Sequence, residues 1–196
     1  MNSNKVRIAV LSDIHFSSKD DDRNAVNSST GLLESLTNED FKYLIVNGDI
    51  VQNGSVKDDF KLASDFFNKL YKKKKFLTVN ETFFTPGNHD LCRDSLLKVQ
   101  KKFLKKENGK PNYEKRTKLL DYSIAEGRKR RKNIGYFKDV FNNYTSFLKD
   151  DLSFSPYINS FTKNRNDYKW VNFLCGYKIL DEEIIIFANN SSWFAG

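Results

Sequence analysis

Three apolar runs in the first half of the chain each stop abruptly in a polar block. "VRIAVL" runs into "SDIH", "FKYLIV" into "NGDI", and "KFLTVNETFF" into "TPGNHD". Short runs of β-branched, aliphatic and aromatic residues closed by turn formers read as buried strands. Strands are therefore expected at 6–11, at 41–46 and just before Pro86. Between the first two, "STGLLESLTNED" holds one short helix. Between the second and third, Val56, Phe60, Ala63, Phe66, Phe67 and Leu70 recur at helical spacing, with Ser55 as the N-cap and lysines in the last turn. The order strand, helix, strand, helix, strand is that of an α/β sheet whose sites form beyond the carboxyl ends of the strands.

With 196 residues, 39% of them hydrophobic and 17 of them Phe, the chain suits one domain spanning 1–196 with an aromatic-rich core. Its apolar runs are far shorter than the roughly 20 residues needed to cross a bilayer, so no membrane association is expected. "MNSNKVRIAV" lacks the features of a secretory signal, which points to a cytoplasmic protein. Cys92 and Cys175 have no CxxC spacing and are expected to be reduced packing residues.

The net charge of +8 is concentrated in one stretch. Lys98 to Lys132 holds 14 Lys and Arg against four Asp and Glu, so the rest of the chain nets −2. This stretch lies in a segment at about 94–165 that reads as helical in "SLLKVQKKFLKK" and "YFKDVFNNYTSFL", broken at "GKPNYEK", with Pro156 near its exit. Two readings stay open: a cap that draws in nucleic acid through its phosphates, or a solvated lysine-rich hairpin. Beyond it, "WVNFLCGYKILDEEIIIFANNSSW" reads as two strands around "DEE", ending in polar residues that include Asn190 and Ser191.

The chain has only two histidines, and both sit in the polar blocks. Together the blocks offer Asp13, His15, Asp49, Asn88, His89 and Asp90. Carboxylate, imidazole and amide oxygen form a mixed donor set suited to Mn, Fe or Zn, and too rich in nitrogen for a dedicated Ca or Mg site. Continued strand alternation would aim Asp13 and His15 the same way, and Gly48 and Gly87 would allow tight turns just before a ligand. Arg93, three residues beyond the last block, is open to two readings, an anion contact or an ordinary exposed arginine.

In order and spacing these blocks resemble the calcineurin-like metallophosphoesterase family, whose signature runs D-x-H, G-D, G-N-H-[D/E], a lone His and then G-H-x-H. The resemblance implies a four-layer αββα sandwich carrying 94–165 as a basic helical insertion. It implies two divalent metal ions, with Asp13 and His15 on the first, Asp49 bridging, and Asn88 on the second. It implies His89 as proton donor near the leaving oxygen, with Asp90 orienting that histidine or its loop. The substrate would be a phosphodiester, in nucleic acid or a cyclic nucleotide, or a phosphomonoester. The same blocks resemble phosphoesterase domains at the N-terminus of large bacterial multidomain proteins.

No histidine follows His89, so the lone His and G-H-x-H have no counterpart here. The second metal is then expected to bind weakly. Two expectations follow. Either the chain is the N-terminal portion of a longer product, with an exposed sheet edge and apolar face, or it is a degenerate, inactive domain that binds nucleic acid or protein.

Overall fold

A computed structural model describes residues 5–19, 23–103, 139–154, 176–180, 184–188 and 192. Strand β1 (Ile8–Leu11) is followed by helix α1 (Arg23–Asn38), strand β2 (Tyr43–Asn47), helix α2 (Lys57–Lys73) and strand β3 (Thr82–Thr85). The three strands pair in parallel in the order β1-β2-β3, with Val10 opposite Ile45 and Ile45 opposite Phe83. The expected α/β order is thus present, and all three polar blocks leave the same edge of one sheet.

The expected alternation of strand and helix holds, while several boundaries move. Helix α1 begins at Arg23, earlier than expected, because "RNAVNSS" carries no apolar stripe to announce it. Helix α2 is capped at its N-terminus by Val56, which makes no side-chain hydrogen bond, so Ser55 is not its cap. Instead the Ser55 hydroxyl accepts the Arg93 N–H at 3.1 Å, at the start of helix α3 (Arg93–Phe103). The run before Pro86 divides into a 3-10 turn, Val79–Glu81, closed by a Thr78/Glu81 capping box, and the four residues of β3.

The core forms where the apolar stripe of α2 meets the sheet. Phe60, Ala63, Phe66, Phe67 and Leu70 are buried there against Leu44, Val46, Phe83 and Phe84. Beneath them lies helix α4 (Asn142–Ser146), which widens into a π turn at Phe147–Asp151. The Phe147 ring touches those of Phe60, Phe67, Phe84 and Tyr144. Burying an aromatic ring contributes about 1.5–3 kcal/mol, so this cluster ties the end of the 94–165 segment to the sheet. Most of that segment, including residues 104–132 of the basic stretch, lies outside the described residues.

Strands β4 (Gly176–Leu180) and β5 (Ile184–Ala188) pair antiparallel, matching the two strands expected around "DEE". Ala188 joins the core, with Ile184 and Ile186 packed against it. The outward faces are apolar and open: Val10 on β1 is 62% exposed and Phe187 on β5 is 65% exposed. Among the described residues no helix is long and apolar enough to cross a membrane.

Candidate metal centre

The three polar blocks are laced into one unit by their backbones. Asp13 N–H donates to Gly48 O at 3.3 Å, His15 N–H to Asp49 O at 3.1 Å, and Phe16 N–H to Ile50 O at 2.9 Å. Gln52 N–H returns to Phe16 O at 2.9 Å, and Gly54 N–H reaches His89 O at 2.7 Å. Asp90 completes the lacing. Fully buried, it accepts Ile50 N–H and Val51 N–H on Oδ1 at 2.9 and 3.1 Å, and Gly87 N–H on Oδ2 at 2.8 Å. Burial pushes this carboxyl up to about 7, with the Asp49 charge adding to the rise, although the three N–H groups pull the other way.

Two glycines let the loops touch. Gly48 has φ +77, and a Cβ there would lie 2.6 Å from Gly87 N. A Cβ on Gly87 would lie 2.1 Å from Asp49 Oδ1. Gly87 is therefore required for close approach, with no positive φ of its own, where the sequence suggested a turn.

Asp13, His15 and Asp49 all adopt left-handed backbone, with φ of 56, 55 and 50. Such conformations are uncommon outside glycine and cost of order 1 kcal/mol or more each, so they persist only where the surroundings over-determine them. Strand alternation therefore does not align Asp13 with His15: β1 has ended at Leu11. Their side chains still meet, with His15 Nε2 3.9 Å from Asp13 Oδ1. Asp13, His15 and Asp49 offer ligand atoms lying within 4.8 Å of one another.

The second imidazole joins them. The rings of His89 and His15 stand edge to face with centroids 4.6 Å apart, and His89 N–H donates to Asp49 Oδ1 at 2.8 Å. His89 Nδ1 lies 2.9 Å from the Gln52 carbonyl oxygen. A carbonyl only accepts, so Nδ1 carries the proton and Nε2 is left for other partners. Arg93 Nη2 also approaches Nδ1, at 3.5 Å. Since Arg is donor-only and cannot bond a protonated nitrogen, the shorter Gln52 contact sets the tautomer. Asn88 sits exposed between Gly87 and His89, and Cys92 is a partly buried free thiol. Cys175, Asn190 and Ser191 lie outside the described residues.

Residues 6–194 match the model of the calcineurin-like phosphoesterase family. The chain belongs to that family. An uncharacterized metallophosphoesterase-like protein of Bacillus subtilis strain 168, YydB, is 28% identical over 154 residues, or 76% of this chain. The chain spans about 30% of that relative's length. No solved structure matches it. Metal-dependent hydrolysis of phosphate esters is the chemistry shared by that family.

The residues present fit the metal that calcineurin-like phosphoesterases use. His15 Nδ1 is buried without a hydrogen-bond partner, a costly state for an imidazole nitrogen. The same imidazole presents Nε2 toward Asp13 and groups with the carboxylates of Asp13 and Asp49 on two loops, and a divalent cation suits this donor set of oxygen and nitrogen.

Three contributors escaped the sequence reading. Gln52 acts through its carbonyl, so its side chain gave no signal. Ser192, buried at 4% exposure, donates its hydroxyl to Pro86 O at 2.5 Å and ties that position to the His89 loop. Asp59, buried in α2 at 2% exposure, accepts two hydrogen bonds from Ser18. Its one signal was an acidic residue at the start of the apolar stripe.

Proposed function

We propose that this domain hydrolyses phosphodiesters at a centre of two divalent metal ions, with Mn, Fe or Zn as the metals suited to its donors. The observation that carries the reading is the meeting of Asp13, His15 and Asp49 beside the His89 ring. Asp13 and His15 would hold one ion, Asp49 would bridge, and Asn88 would serve the second, more weakly held ion. When bound, such a pair acidifies water and neutralises charge on phosphoryl oxygens. His89, its Nδ1 proton held by the Gln52 carbonyl, would donate from Nε2 to the departing oxygen as the imidazolium, the one form in which both ring nitrogens carry a proton. Asp90 anchors the loops that carry these groups. Arg93, beside the His89 ring, offers its guanidinium to a substrate phosphate.

The positive excess of Lys98–Lys132 supports an anionic diester, with nucleic acid as the polyanionic extreme, over a small monoester. The test uses the full chain with bis(p-nitrophenyl) phosphate and an oligonucleotide, with Mn²⁺ and after chelation. Chelation should abolish hydrolysis, and H89A should lower kcat by about 10²–10⁴ while metal content and melting temperature hold. Hydrolysis that survives both treatments, or a chain that takes up no Mn²⁺, Fe or Zn, overturns the reading. In the latter case a binding module remains.

A further inference from the structure

Asp59 lies in the first turn of α2, where free amide groups at the helix N-terminus favour a negative charge. Its Oδ1 accepts the Ser18 N–H at 2.7 Å and the Ser18 hydroxyl at 2.6 Å, joining positions 41 residues apart. A carboxylate this deeply buried requires hydrogen bonds to offset its lost hydration, and Ser18 supplies two of them.

Ser18 stands three residues beyond His15, on the chain leaving the first polar block. On one side that loop is laced to the Asp49 block. On its other flank lies a cavity of about 1120 Å³, bordered by Asp13, His15, Ser17 and Ser18 and walled by α1 and α2. Among the described residues, two attachments cross to α2: the Phe16 ring on Phe66, centroids 5.2 Å apart, and the Ser18–Asp59 pair. Tilted rings can slide over one another, whereas two hydrogen bonds converging on one oxygen set both distance and direction. The strained φ of His15 needs its chain fixed on both sides; downstream, Phe16 is bonded to Ile50 and Gln52 of the Asp49 block, and Asp59 adds the fixing toward α2 at Ser18.

We propose that Asp59 is a positioning residue for the metal centre, acting through Ser18 to keep the His15 imidazole turned toward Asp13 and Asp49. This role rests on the reading of that centre as a metal site. Residues that orient ligands in this way typically change metal affinity by about 10–100-fold when removed.

The experiment is a calorimetric Mn²⁺ titration of the metal-free full chain, with metal-free melting curves in parallel. D59A should bind Mn²⁺ about tenfold more weakly, the low end of that range because the effect passes through Ser18. S18A, which keeps the backbone bond, should bind about threefold more weakly and lose less metal-free melting temperature than D59A. D59N should bind like the wild type, because its amide oxygen accepts the same two bonds. Should D59A fail to fold, S18A and D59N decide. Mn²⁺ affinity of S18A and D59A equal to that of a binding wild type overturns this role alone, as does D59N binding as poorly as D59A. A wild type that binds no Mn²⁺ overturns the reading of the centre and this role with it.

Discussion

Asp90 is the most informative residue to replace, because its three hydrogen bonds all go to backbone N–H groups of the two loops beside the proposed metal site. Asp90→Ala strands three donors. At about 1–3 kcal/mol for each unsatisfied buried group, the gross cost is roughly 3–9 kcal/mol. Part is offset, since removing the carboxylate also relieves the desolvation that pushes its pKa up to about 7. The net expectation is the low end, about 3 kcal/mol, or a fall of roughly 6–12 °C in the melting temperature of a chain this size. Asp90→Asn discriminates the mechanism. Its amide oxygen can take the place of Oδ1 and accept Ile50 and Val51, but its NH₂ then faces the Gly87 N–H, donor against donor. One lost bond in place of three predicts about 1–2 kcal/mol. Thermal melts of metal-free wild type, D90N and D90A at pH 7.5 should therefore fall in that order. A D90A melting temperature within about 2 °C of wild type refutes the anchoring argument, and so does a D90N variant as unstable as D90A.

The raised pKa of Asp90 has a pH signature in the metal-free chain. The folded carboxyl keeps its proton to about 7 while the unfolded one releases it near 3.8, so the unfolded state binds fewer protons in that window. Stability from this group should be fully present below about pH 4, fall by at most about 4 kcal/mol as pH rises to about 7, and level off above. Denaturant titrations should show that decline in the wild type and not in D90N. Gly87→Ala would drive a Cβ to 2.1 Å from Asp49 Oδ1, so metal uptake by elemental analysis should drop at least about tenfold. Retained uptake would mean Asp49 is not a ligand.

The sequence made the α/β order and the gathering of the site legible for one physical reason. Each strand ends where apolar residues give way to turn formers, and a parallel sheet brings those ends to one edge. That suffices to bring Asp13, His15, Asp49 and His89 together. How they are held was not legible. The expected mechanism, strand alternation, fails because β1 ends at Leu11 and both Asp13 and His15 turn left-handed. Asp and His tolerate left-handed backbone better than most residues, but that tolerance does not tell which Asp or His will adopt it. The Ser55 cap misled for a related reason: a hydroxyl before an apolar stripe can serve any nearby amide, and here tertiary packing gives it to Arg93 N–H of α3.

Gln52 and Asp59 illustrate the same gap from opposite sides. The Gln52 carbonyl sets the tautomer of His89, a task any residue's backbone could perform, so identity at that position carries no information. Asp59 does its work with a side chain, yet an acidic residue in the first turn of a helix already has a sufficient local explanation in the helix dipole. Only its burial, with Oδ1 taken up by Ser18 beyond the first block, shows a carboxylate doing more than its local position requires. Reactive side chains in a parallel sheet can thus be located from strand ends, whereas the groups that aim them lie one contact further away. There, burial without an evident local cause is the signal to look for.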